Sequence, residues 1–142
     1  MAKEWISPTG WEGTGWLYPE RAYDEDINTG ADDYVNDRTW SAYLILLHSP
    51  LVCDKVQVYL YPASVNFTST EVDVYRDGEW VSVYSDGQWI GWKTIEFDEG
   101  IVEKMRVRSY NNHFSNNYHL YVREVDFWGE EPSGAQPYSY IM

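Results

Sequence analysis

The sequence predicts an all-β protein, an antiparallel β-sandwich of jelly-roll type with about eight strands, and three observations predict it. From Val72 to Trp92 apolar and polar residues alternate around Asp77-Gly78, a pair that supplies the positive φ of a tight hairpin turn. The phrase Tyr75-Arg-Asp-Gly-Glu-Trp80 recurs as Tyr84-Ser-Asp-Gly-Gln-Trp89, which predicts a second turn and a meander. Thirteen Tyr and eight Trp among 142 residues, with abundant Val and Thr and no helix-favouring run, complete the case. A meander must bury one face, and without a helix to cover it the cover is a second sheet. The length fits one domain spanning 1–142.

Residues 1–21 interleave Pro8, Gly10, Gly13, Gly15 and Pro19 with Trp5, Trp11, Trp16 and Tyr18. Such a stretch reads as a loop-rich arm with one edge strand near Glu4 to Ser7, its rings docked on the body as plugs. Ala22 to Asp37 is strongly acidic and lacks both helical and strand periodicity, so a long ordered loop is expected, held by a ligand or an ion. Trp40 to Leu47 is nearly continuous in apolar residues and predicts a buried central strand, broken by His48-Ser49-Pro50. Lys55 to Tyr61 alternates, and Pro62 closes that strand because it cannot donate to a ladder.

After the meander, Trp92 to Phe97 predicts a strand, Asp98-Glu99-Gly100 a turn, and Val102 to Tyr110 another strand with Met105 and Val107 inward. An Asn-rich tip follows at 111–117. Tyr118 to Trp128 is the closing strand, and its apolar phase shifts around Arg123 and Glu124, which predicts a bulge. The tail, 130–142, reads as irregular, although it ends on the apolar Tyr138, Tyr140 and Ile141.

The formal net charge of −13 argues against nucleic acid and anionic membrane surfaces as partners, because both require clustered Lys and Arg. Cys53 is the only cysteine, so no disulfide within the chain holds the fold. No signal peptide and no apolar run long enough for a bilayer is present, so a soluble protein is expected, with an extracellular or virion surface as a compatible location. No Gly-x-Ser-x-Gly elbow occurs, and His48, His113 and His119 lack metal-ligand spacing, so no enzyme is expected.

Sugar rings present a flat apolar face to an aromatic side chain and hydroxyls to amides and imidazoles. Asn112, His113, Phe114 and Asn117 on one tip, with Trp89 and Trp92 on another, have that chemistry. The alternative for Trp89 is a core partner of Trp80.

Four segments, within Ala22 to Gly129, resemble the galactose-binding-like, or discoidin-type, jelly-roll superfamily of coagulation-factor C domains and carbohydrate-binding modules. They are Ala22-Tyr-Asp-Glu-Asp-Ile-Asn-Thr29, the segment Leu44 to Val58, the hairpin Val72-Asp-Val-Tyr-Arg-Asp-Gly-Glu-Trp80, and the pair Lys104-Met-Arg-Val-Arg108 with Leu120 to Gly129. Glu25 stands where the family has Gly. The resemblance implies a structural Ca²⁺ held by Asp24, Asp26, Thr29 and Glu124, with the carbonyl of Ala22 or Tyr23 helping, an oxygen set of the kind this ion takes. The alternative is that Asp24 and Asn28 cap turns.

Two functions follow as expectations. One is a non-catalytic binding or adhesion module that recognises a glycan or glycoprotein surface. The other is a virion structural protein, a decoration, fibre or tail component, using the same sandwich as a homo-oligomer with Trp5, Trp11, Tyr138, Tyr140 and Ile141 at its contacts.

Overall fold

The computed structural model describes residues 2–132, and the expectations for Tyr138, Tyr140 and Ile141 lie outside them. Nine strands run in chain order: β1 (Glu4–Ile6), β2 (Gly10–Glu12), β3 (Ala31–Val35), β4 (Thr39–Trp40), β5 (Leu44–Pro62), β6 (Phe67–Arg76), β7 (Glu79–Asp86), β8 (Gly91–Asn111) and β9 (Tyr118–Glu130). A 3-10 turn at Pro19–Ala22 precedes β3. All the pairings are antiparallel.

β5 and β8 belong to both layers. The first part of β5 pairs with β2 and with the second part of β8, which pairs in turn with β6, and β6 with β7. The second part of β5 lies between β9 and the first part of β8, and β1 and β3 share the far edge of β9. Each long strand therefore bends from one layer into the other. The register shifts between Leu47 and Leu51 and between Cys53 and Lys55 mark the bend in β5. Between the layers lies a core of fully buried Leu44, Leu46, Val56, Val58, Leu60, Val72, Val74, Met105, Val107, Leu120, Val122 and Phe127.

Several expectations change accordingly. His48-Ser49-Pro50 does not end a strand, and Asp98-Glu99-Gly100 does not turn the chain; both lie inside long strands where these bend. Proline there fits a bend, where ladder bonds are already interrupted. Leu44 to Leu47 alternates buried with half-buried residues, and Trp40 sits in its own short strand. The acidic 22–37 region holds a strand, β3, whose Asp32 and Asp33 escaped a hydrophobicity reading. The hairpin of β6 and β7 turns at Asp77 (φ 53°) and Gly78 (φ 88°) as expected, but the second Asp-Gly does not make a hairpin. Residues 87–90 instead carry the chain across to the other layer, where Gly91 pairs with Leu60.

The closing strand bulges where its phase predicted. Tyr59 faces Glu124 and Leu60 faces Val122, leaving Arg123 unpaired in the ladder. The extra residue lets Val125 point into the core while Glu124 shares the outer face with Tyr59.

Candidate functional site

The outer face of the β9–β5–β8 layer carries a pocket lined by aromatic and acidic side chains. Antiparallel neighbours stand side by side about 4.8 Å apart, so the pairs Trp92–Tyr59 and Tyr59–Glu124 set three side chains in one row across β8, β5 and β9. Trp92 meets Tyr59 edge-on at 5.3 Å between ring centroids. On the far edge β1 pairs Trp5 with Trp128, and their rings meet at 5.0 Å. The loop after the 3-10 turn covers the row, because the Glu25 backbone N–H donates to Glu124 Oε1 at 3.1 Å. The open pocket there, about 350 Å³, has Trp5 and Trp92 on its walls and Ser7, Glu25, Glu124 and Asp126 as its polar lining. Of the core-sized rings, Trp5 and Trp92 stay 37% and 43% exposed.

Its electrostatics are one-signed. Burial, followed by the nearby Asp126 and Asp24 carboxylates, pushes the Glu124 carboxyl up to about 8. Burial also raises Asp126, partly offset by Gln57 Nε2 donating to it at 2.8 Å and Ser7 Oγ at 3.4 Å. Glu124 is 3% exposed, and its Oε2 has no hydrogen-bond partner among the described residues.

The four residues expected to hold calcium are partly assembled. Glu124 reaches the loop through Glu25, and Thr29 Oγ1 donates to Asp24 Oδ2. Asp24 Oδ1 accepts from the Asp26 N–H at 3.0 Å, and Asp26 Oδ1 from the Asn28 N–H at 2.9 Å, so these carboxylates cap turns. Among the described residues no three His, Cys, Asp or Glu side chains stand where they could share a metal ion. The loop is tied to the closing strand through the Glu25–Glu124 bond.

The two expected recognition tips separate. At 112–117, His113 Nδ1 accepts the N–H groups of Ser115 (3.1 Å) and Asn116 (2.9 Å), which makes Nε2 the protonated nitrogen of the neutral ring. Asn117 Oδ1 accepts the Asp37 N–H, so that amide staples two loops together. Phe114, 74% exposed, stacks on His113, and Asn112 is exposed beside it. Trp89 is half-buried, its indole N–H donating to the Gly91 carbonyl at 3.0 Å and its ring edge-on to Tyr84, not Trp80. Trp92 alone of that set lines the Trp5 pocket.

Three participants escaped the sequence. Asn111, fully buried, donates to the carbonyls of Val35, Asn36 and Asn116 and shapes the 112–117 tip; the only signal was the local run of Asn. Asp126, on β9, and Ser7, just past the end of β1, carried no functional signal in the sequence. A wider cleft of about 590 Å³ between loops 62–68 and 87–90 is lined by Pro62, Val65, Phe67 and Ile90 and carries no charged side chain.

No protein-family model matches the sequence, and no curated protein matches it. Solved structures do match its fold. The CBM32 of AlyQ, in complex with 4,5-unsaturated mannuronic acid, superposes with a TM-score of 0.64 at 14% identity, covering 88% of this chain and 98% of that one. CBM32-1 from a family 31 glycoside hydrolase of Clostridium perfringens gives 0.59 at 16% identity, over 86% and 96%. CpGH89CBM32-5 of the same organism, in complex with GalNAc-beta-1,3-galactose, gives 0.62 at 12% identity, over 84% and 94%. The chain thus has the galactose-binding-like jelly-roll fold shared by these carbohydrate-binding modules.

Proposed function

We propose that this chain is a non-catalytic carbohydrate-binding module whose sugar sits between Trp5 and Trp92. The observation that carries the proposal is the pair of part-exposed indoles facing one pocket whose lining offers Ser7, Glu25, Glu124 and Asp126 as hydrogen-bond partners. A pyranose needs both an apolar platform and a few fixed polar groups, and pockets of a few hundred Å³ hold such ligands. The modules that share the fold support the same reading.

Binding to a panel of oligosaccharides, measured by calorimetry for the native chain and for Trp5→Ala and Trp92→Ala, tests it. Each variant should keep its circular dichroism spectrum and lose about tenfold in affinity, roughly 1.4 kcal/mol. Binding unchanged in both variants would move the site elsewhere, with the 112–117 tip as the first alternative. Cleavage of any glycan in the panel would contradict the non-catalytic part. Calcium enters the proposal only as a rival occupant of Glu124.

A further inference from the structure

The loop 24–30 lines two pockets. Glu25 and Ile27 belong to the Trp5–Trp92 pocket, and Asn28 lines a second one, about 300 Å³, together with Tyr18, Arg21, Asp32, Tyr121 and Arg123. The bulge in β9 serves both, with Arg123, unpaired in the ladder, in this second pocket.

Two guanidinium groups in one pocket stand out in a chain whose formal net charge is −13. Of the six arginines, Arg38, Arg106 and Arg108 are ion-paired with Asp37, Asp73 and Glu71, and Arg76 donates to the Asp98 carbonyl at 3.0 Å. Arg21 and Arg123 have no carboxylate partner among the described residues, and both line this pocket. Each lies over a tyrosine ring at 4.1 Å, Arg21 over Tyr18 and Arg123 over Tyr61, and Arg123 also donates to the Ile27 carbonyl at 3.2 Å. Stacking holds a guanidinium by its face and leaves N–H groups on its edge to a ligand. The one carboxylate of the lining, Asp32, is engaged by His119 Nδ1 at 2.7 Å. This lining is net cationic, whereas that of the Trp5–Trp92 pocket is anionic.

Tyr18 is an independent sign of a ligand. It holds φ at 53°, a left-handed conformation that bulky residues seldom adopt, and it is 54% exposed. It starts the 3-10 turn Pro19–Ala22, which carries Arg21. Backbone strain of this kind gathers at ligand clamps, and here it sets an exposed ring beside a cation.

Two guanidinium forks from separate elements suit a tetrahedral oxyanion better than a carboxylate, which one bidentate fork already satisfies. The acidic surroundings favour a monoanion over a dianionic phosphate ester. Exposed tyrosine surface suits an anion carried on a ring better than a bare ion. We infer that this pocket binds a sulfate ester on a glycan, with Arg21 and Arg123 on its oxygens and Tyr18 against the pyranose. The inference goes beyond the Trp5–Trp92 proposal and uses none of that pocket's side chains.

The arginine Nε–H resonances of ¹⁵N-labelled protein test it, in chloride buffer, with the primary-hydroxyl sulfate esters of glucose, galactose and N-acetylglucosamine. At least one ester should shift Arg21 and Arg123 saturably. It should bind at least about tenfold tighter than its parent sugar, inorganic sulfate, glucuronate or the matching phosphate ester. Arg21→Gln should remove the preference, and Arg38→Gln and Trp5→Ala should keep it, with unchanged circular dichroism in all three. No shift at either arginine with any ester would overturn the inference. Equal binding of inorganic sulfate would reduce the pocket to an adventitious ion only, and equal binding of glucuronate or phosphate ester would overturn the sulfate assignment. Esters that move the Trp5 and Trp92 indole signals while both arginines stay in place would overturn it and leave the Trp5–Trp92 proposal standing. Arginine shifts from an ester, with no glycan acting on those indoles, would support it while that proposal falls.

Discussion

The Glu25 backbone N–H donates to Glu124 Oε1 across 99 residues of sequence, fastening the acidic loop to the bulge of the closing strand. This bond turns an outer-face glutamate into a buried one and closes one side of the Trp5–Trp92 pocket. Fold, electrostatics and proposed recognition meet at this contact, and it makes stability depend on pH.

Glu124 is raised from 4.5 to about 8 in the folded chain, and burial also raises Asp126 and Asp33. Between the unfolded and folded values the native state binds more protons than the unfolded state, so stability falls as pH rises. The melting temperature should therefore decline from about pH 5 to about pH 8.5, and Glu124→Gln should flatten that decline. A native melting temperature that climbs across this window would show that Glu124 is already ionised and compensated.

Trp89 and Trp92 should separate cleanly. Trp89 packs against the core and bonds the Gly91 carbonyl, so Trp89→Ala should cost about 2–4 kcal/mol of stability in a denaturant titration. Trp92, with 43% of its surface exposed, should cost well under half of that while carrying the binding loss.

Two glycines at the bends test close packing. A Cβ on Gly129 would lie 2.8 Å from the Val52 carbonyl oxygen, a backbone atom that cannot move aside. Gly129→Ala should cost about 1–3 kcal/mol. At Gly100 the obstacles are the Arg76 and Asp77 side chains, the nearest 2.5 Å away, so Gly100→Ala should cost less because those chains can swing out.

The Cys53 thiol is buried and pushed up to about 11, chiefly by that burial. Only thiolate reacts with aromatic disulfide reagents. Labelling should therefore be absent in the native state and appear only with unfolding, which makes Cys53 a clean reporter for the stability measurements above.

The local pattern carried much of this protein. Period-two alternation located β6 and β7, the Asp77-Gly78 turn announced itself through its chemistry, and the phase slip at Arg123 revealed the bulge. What escaped is non-local. Pro50 and Gly100 look like chain breaks because strand bends and strand ends use the same residues, and only pairing partners on both sides tell them apart. The acidic β3 is held by its ladder with β9, not by hydrophobic side chains at every second position. The pocket escaped for the same reason: Trp5 and Trp92 lie 87 positions apart, and nothing near either one signals the other. The 112–117 tip had the right residue types, yet His113 and Asn117 spend their polar atoms shaping the loop.

The indole N–H signals of the eight tryptophans report directly where a sugar touches the protein. Titration of ¹⁵N-labelled protein with a bound oligosaccharide should shift the resonances assigned to Trp5 and Trp92 and leave Trp89 in place. Shifts confined to the backbone of 112–117, with both of those indoles unmoved, would contradict it.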